Sequence, residues 1–276
     1  MEHAEPTAPE MIDIWQEAAT AVTDLAEQLD VDQWAAMTPC PGWSVADVVA
    51  HVIDIEQLLA GSPRPEHEPD WSALPHAQGD FGRFTEIGVD HRRSRSRDEV
   101  VAELRETIAV RRNQLDAVPP GEDVIGPMGN PTTLDRLLRM RTLDIWMHEQ
   151  DMRSATGISG GWDTRPAWIA FQQIRAALPV VWSKKAGAPG GDTVRLDVTG
   201  PGVVASMAAV TGADDRGVLI DPPSMASVVL RLSWPDLVSL AAGRVDPGDP
   251  ALRARLELDG DPGLGDALLA ALTITP

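Results

Sequence analysis

The sequence predicts an α+β protein: a four-helix bundle over residues 1–158, followed by a smaller α+β domain over 159–276. Two observations carry this. Four amphipathic stripes, each opened by a helix-capping pattern, fill the first part with little strand signal between them. After "TGISGGWDTRP" (156–166) the texture changes to strand-like alternation broken by short helical runs.

The first helix is expected from Thr7, with Glu10 as capping-box partner and Pro9 in the opening turn. Met11, Trp15, Ala18, Val22, Leu25 and Leu29 form its apolar stripe. The second is expected from Ser44, with Asp47 completing the box and Trp43 and Val48 placed as a hydrophobic staple. The third opens at Ser96 with Glu99, and Val101, Leu104, Ile108 and Leu115 line one side. The fourth opens at Thr132 with Asp135 and ends at Gly157, a natural residue just past a helix end. The connection from about Gly61 to Arg95 is rich in Pro, His, Asp and Arg; it reads either as partly helical or as a mobile cover. His67, His76 and His91 within it are expected to be solvated. Beyond the boundary a helix is expected from about Arg165 to Lys185, capped by Thr164 or Asp163. Strands are expected at 193–200, 202–210, 227–234 and 252–261, with helices at 235–244 and 262–272.

Composition removes several classes of function. The formal charge of −19 repels nucleic acid and anionic membrane, so neither is expected as a partner. No run of 18 apolar residues occurs, and the opening "MEHAEPTAPEMIDIW" is acidic and unlike a signal peptide. Cys40, the single cysteine, excludes an internal disulfide framework. These features point to a cytoplasmic protein. Cys40 itself reads as a small packed residue near one end of the bundle, close to the start of the second helix.

One constellation stands out. On the fourth helix Leu137, Arg141, Asp144, His148, Asp151 and Ala155 share a face, flanked by Leu138, Ile145, Trp146 and Met152. Asp144 and His148 are one turn apart, a spacing that lets a carboxylate and an imidazole bind one cation. His51 sits in the apolar stripe of the second helix, where an imidazole needs a partner. A shared metal would supply it, and two His plus one carboxylate leave a position open. Three readings stand on spacing alone: an open metal site, a structural ion-pair network, or a core histidine bonded to a carbonyl. Glu149 follows His148, but Met152 occupies the place where a zinc-protease helix would carry its second His. Asp151 either orients an imidazole or pairs with Arg141 or Arg153. Arg141 either anchors a substrate carboxylate or neutralises Asp144. Trp43 and Trp146 read as packing residues, with an aromatic wall as the alternative.

The segments "TPCPGWSVADVVAHVIDIEQLLAG" (38–61) and "RTLDIWMHEQDMRSATG" (141–157) resemble the two signature segments of the mycothiol-dependent maleylpyruvate isomerase family, in the DinB-like four-helix superfamily. The C-terminal "DLVSLAAGR…LELDGDPGLGDALLAALTITP" is similar to that family's second, sterol-carrier-like domain. The resemblance implies a divalent metal, zinc first with nickel or iron as alternatives, held by His51, Asp144 and His148. Where members of the family often carry Glu, this chain has Asp144, one methylene shorter. It further implies mycothiol as thiol co-substrate, and an isomerase or S-transferase acting on a small electrophile. Arg244, closing "LAAGR", becomes a candidate anion contact for thiol cofactor or substrate; its other reading is a basic residue favoured at a helix C-terminus. A metal- or small-ligand-binding protein without turnover is the alternative function.

Overall fold

The computed structural model describes residues 5–119 and 121–275, so the first four residues of the acidic opening lie outside it. The chain divides into two compact units, one running to Gly161 and including 165–170, the other made of 162–164 and 171 onwards. Among the described residues no helix is long and apolar enough to cross a membrane.

The first unit holds α1 (Ala8–Gln28), α2 (Val31–Trp34), α3 (Val45–Leu59), α4 (Gly79–Asp90), α5 (Arg97–Ala117), the hairpin β1 (Asp123–Ile125) and β2 (Pro131–Thr133), and α6 (Leu134–Thr156). The long helices are α1, α3, α5 and α6, the four that the capping patterns predict. Glu10 accepts from the Thr7 N–H at 2.7 Å. Ser44 and Asp47, and Ser96 and Glu99, close reciprocal boxes at the starts of α3 and α5. Each such cap satisfies donors that the first turn leaves orphaned. The α1 stripe is fully used: Met11, Trp15, Ala18, Val22 and Leu25 are buried and pack in one core with Val48, Val52, Leu104, Leu138 and Ile145.

Two expectations need correction here, and one open alternative is decided. The N-cap of α6 is Thr133, accepting from the Arg136 N–H, whereas Thr132 pairs with Val124 in the hairpin. Segment 61–95 is partly helical: it carries a 3-10 turn at Trp71–Ala73 and then α4. His67 and His76 are not simply solvated, since His67 Nε2 lies 2.7 Å from Asp90 and His76 Nε2 lies 3.0 Å from Glu86.

Helix α4 packs against α3, and Gly88 makes the approach possible. A Cβ at Gly88 would lie 2.0 Å from Cγ of Asp54. That carboxylate cannot swing away, because Arg64 Nη2 donates to it at 2.6 Å and Arg92 Nη1 sits 3.6 Å off. Gly88→Ala is expected to destabilise the protein by about 1–3 kcal/mol, read as a lower denaturant midpoint with unchanged slope. An unchanged midpoint would show that α4 is not seated as described.

The second unit is a five-stranded sheet with order β5-β4-β3-β6-β7, built from β3 (Thr193–Gly200), β4 (Val203–Thr211), β5 (Gly217–Ile220), β6 (Val228–Ser233) and β7 (Glu257–Gly260). The pair β3 and β6 is parallel and the others are antiparallel. Val194, Leu196 and Val198 alternate inwards along β3, opposite Val228, Leu230 and Leu232 of β6. Helices α8 (Trp234–Ala241), α9 (Pro250–Arg253) and α10 (Pro262–Ala271) complete the unit, and α7 (Arg165–Val180) begins in the first unit and ends in this one. The single helix expected to reach Lys185 changes character after Pro179, which has no N–H to donate, and Val181–Lys185 winds as a π-turn. The strand expected over 252–261 is shorter, because Asp249 caps Pro250–Arg253 as a helical turn first.

Candidate metal centre

His51 projects from the middle of α3, and Asp144 and His148 from successive turns of α6. The apolar residues around them dictate this meeting: Val48 and Val52 on α3 and Ile145 and Met152 on α6 belong to the common core, which draws both polar stripes together. His51 Nε2 lies 3.4 Å from Asp144 Oδ2, and His148 Nε2 lies 3.8 Å from Asp144 Oδ1. One ligand atom from each of the three residues falls within 4.8 Å of the other two. A direct hydrogen bond would be closer, at about 2.9 Å. Donors about 2.1 Å from a tetrahedral divalent cation lie roughly 3.4 Å apart, so these separations fit a shared cation better than mutual bonding. His51 Nδ1 is buried without a hydrogen-bond partner, and no core carbonyl takes the ring as the alternative reading requires. The donor set fits the ion.

The surroundings orient this set. His148 Nδ1 meets Asp151 Oδ2 at 3.1 Å, so Asp151 is placed to orient the imidazole. A carboxylate taking that N–H leaves the Nε2 lone pair facing Asp144. Arg141 Nη1 donates to Asp144 Oδ2 at 2.6 Å, and Arg141 Nε donates to Glu56 Oε1 at 2.8 Å. Glu56 is wholly buried, and Arg111 stands 3.5 Å from its other oxygen. Trp43 faces both imidazoles, with ring centroids 4.9 Å from His51 and 5.7 Å from His148. Its indole N–H donates to Glu86 at 2.8 Å, and Glu86 also meets Arg93 and His76. Asp144 keeps 32% of its side chain exposed, against 6% for His51, so the set is open on the carboxylate side. A cavity of about 650 Å³ is lined by Arg111, Leu58, Leu134 and Leu137 and by none of the three donors.

The sequence profile of the mycothiol maleylpyruvate isomerase N-terminal domain matches residues 15–153, half of the chain. The chain belongs to the mycothiol maleylpyruvate isomerase family. A second profile, the MDMPI C-terminal domain, matches residues 169–267. Two curated relatives, both uncharacterized proteins of Mycobacterium tuberculosis, are 24% identical over 150 residues, a match covering 54% of this chain and 56% of each relative. The chain thus spans little more than half the length of the curated relatives it matches. The crystal structure of the mycothiol-dependent maleylpyruvate isomerase is similar with a TM-score of 0.58 at 15% identity, covering 87% of this chain and 90% of that one. A crystal structure of a histidine-to-alanine mutant of that enzyme gives 0.57 with the same coverage. At such identity the likeness is one of fold.

Within this member of the mycothiol maleylpyruvate isomerase family, five of the residues singled out by sequence come together: His51, Arg141, Asp144, His148 and Asp151. Arg244 belongs to the other unit, where its Nη1 donates to the Ala242 carbonyl at 2.8 Å in the manner of a helix C-terminal cation. Two neighbours of the site, Glu56 and Glu86, escaped the sequence reading, and for Trp43 the alternative of an aromatic wall joins the packing role. Glu56 holds Arg141, Glu86 holds Trp43, and Trp43 faces the imidazoles as well as packing the bundle. A carboxylate inside the apolar run "VIDIEQLL" is the signal that could have marked Glu56.

Burial pushes the His51 imidazole below its ordinary value, and the opposing pull of Asp144 does not restore it. Burial works to raise the Asp144 carboxyl, but Arg141, His51 and His148 outweigh it and hold it well below the usual carboxylate range. In both cases the unfolded chain takes up protons at a pH where the folded one does not. The stability these groups contribute is therefore complete above the unfolded values, about 6.5 for His and 3.9 for Asp, and is lost as pH falls through them. Urea midpoints of metal-free protein are expected to fall steadily on acidification below about pH 6.5. Midpoints that stay level to the carboxylate range would contradict the His51 environment.

Proposed function

We propose that the chain is a divalent-metal-dependent, thiol-dependent isomerase or S-transferase acting on a small electrophilic substrate, with mycothiol as the thiol. The observation that carries this reading is the convergence of His51, Asp144 and His148 on one point with an open carboxylate side. Membership of the mycothiol maleylpyruvate isomerase family supports the thiol and the isomerase chemistry. His51, Asp144 and His148 would hold the cation, zinc being the first to test, then nickel and iron. When bound, such a cation lowers the pKa of a thiol at its open position, so that a thiolate is available at neutral pH.

The chain's own residues have distinct tasks in this reading. Asp151 takes the His148 Nδ1–H and fixes the tautomer. Arg141 is committed to Glu56 and Asp144, which supports a positioning role over substrate anchoring. Trp43 closes the apolar side of both imidazoles and keeps water from it. Arg244 serves as a contact for an anionic group of thiol or substrate. A thiol co-substrate and a lone Cys40 suit a reducing compartment, the cytoplasm.

The test is a panel of small electrophiles incubated with metal-loaded protein, with and without mycothiol, following thiol consumption and isomer formation separately. Isomer formation without net thiol loss identifies the isomerase, and stoichiometric thiol loss the transferase. No thiol-dependent turnover with any electrophile would leave a metal- or ligand-binding protein. Asp151→Asn is expected to weaken metal affinity about 10–100-fold, measured by competition with a chromophoric chelator. Unchanged affinity would remove Asp151 from the site.

A further inference from the structure

A second group of metal-ligating side chains shares one residue with the first. The ligand atoms of Cys40, His148 and Asp151 all lie within 4.8 Å of one another, and all three residues are buried. The thiol is carried by a stiff loop. Cys40 stands between Pro39 and Pro41, its N–H donates to Thr38 Oγ1 at 3.2 Å, and its carbonyl accepts from the Trp43 N–H at 3.1 Å. Thr38 Oγ1 donates in turn to the Trp43 carbonyl at 2.8 Å, and Gly42 turns the chain with φ +79°. This loop leads straight into α3, so the backbone that places Cys40 also places Trp43 against the two imidazoles.

We infer that Cys40, His148 and Asp151 form a second cation position, selective for thiophilic divalent ions, which competes with the first for His148. The donor set is one sulfur, one nitrogen and one oxygen, in contrast to the two nitrogens and one oxygen of His51, Asp144 and His148. Thiolate favours soft and borderline ions such as cadmium, cobalt and zinc. Binding there replaces the thiol S–H bond with a sulfur–metal bond and releases the proton to solvent, with no change of oxidation state.

The competition follows from the imidazole. A neutral ring has one lone pair. With Nδ1–H towards Asp151, at 3.1 Å, the lone pair is on Nε2 and faces Asp144. With the other tautomer it is on Nδ1, towards Asp151, and Nε2–H faces Asp144 Oδ1. One ring therefore serves one position at a time. The thiolate position stands on the Cys40 cluster alone; the competition rests on the proposed placement of the catalytic cation.

The experiment titrates full-length, chelator-stripped protein with cadmium alone and zinc alone, reading metal stoichiometry, near-ultraviolet thiolate-to-metal charge transfer and the rate of Cys40 alkylation. Cadmium is expected to give a charge-transfer band and to slow alkylation at least tenfold. Both effects should persist in His51→Ala and disappear in Cys40→Ser, with Cys40→Ala as a second variant and circular dichroism to confirm folding. Cadmium added to zinc-loaded protein is expected to displace zinc with the total held at one ion per chain. A band that survives in folded Cys40→Ser, or no band in the unaltered protein, overturns the thiolate position. Two ions bound together overturn the competition. Zinc binding that persists in the double variant Cys40→Ser with His51→Ala would instead sink the catalytic placement and leave the cadmium result standing.

Discussion

In a Cys40→Ser background, His51→Ala is expected to abolish stoichiometric zinc binding and to lower thiol-dependent turnover by at least about 100-fold. Two donors remain on α6, and a carboxylate with one imidazole does not hold a divalent ion against a chelator. The variant should fold, since the lost imidazole has no hydrogen-bond partner at Nδ1 and makes only a long contact to Asp144 at Nε2. Removing a buried ring still leaves a hole, so a modest loss of stability accompanies the loss of metal. The measurement is elemental analysis of variant and parent after identical dialysis, with turnover assayed in parallel. Equal metal content in the two would remove His51 from the ligand set, whatever happened to activity.

Glu56→Ala is expected to have the largest effect on stability of any single polar change in the bundle. Glu56 is 0% exposed and stands between two buried guanidinium groups, Arg141 at 2.8 Å and Arg111 at 3.5 Å. Its removal leaves two buried cations with one carboxylate partner fewer. Breaking one side of such a buried pair costs about 3–5 kcal/mol, enough to unfold a marginally stable domain. The damage should also reach the metal centre, because Arg141 loses its Nε acceptor and no longer presents Nη1 squarely to Asp144. Glu56→Gln keeps the shape and should fall between parent and alanine. The double change Glu56→Met with Arg141→Met removes both charges and should recover much of the stability while leaving the metal centre impaired. Denaturant unfolding of the set at neutral pH decides this. A loss under about 1 kcal/mol in Glu56→Ala would mean that solvent reaches the network.

How much of this could be read from the chain depended on distance along it. The α1 stripe and the boxes at Ser44 and Ser96 are local patterns, and they appear in the structure residue for residue. The pairing of Asp144 with His148 is equally local, being one turn of one helix. His51 stood out by its place in an apolar stripe, but the family resemblance was needed to favour its meeting with Asp144 and His148 over the other readings, because nothing in its own helix says which helix it will face. Glu56 and Glu86 were illegible for the same reason: their partners Arg141 and Trp43 lie 85 and 43 positions away. Helix α4 was obscured differently. Two glycines, Gly82 and Gly88, dilute its stripe, and Gln78 supplies no side-chain cap, so both usual signals are weak. Gly88, which lowers helix propensity, is what lets the helix approach Asp54.

The separation of the donors also has a consequence for the order of assembly. Asp144 and His148 are in place as soon as α6 winds, while His51 lies 93 residues from Asp144 and joins them only when α3 docks. Closing so long a loop is an entropic cost that the chain meets before the third donor can contribute. A cation added early in refolding therefore finds two donors, and one added late finds three. An ion held by all three donors would bind the docked state far better than the open one, and its binding free energy would be returned as resistance to the opening of α3 from α6. The proposed metal centre would then act as a latch on bundle closure, with the slowest-exchanging amides of the loaded protein gathered on the facing turns of those two helices.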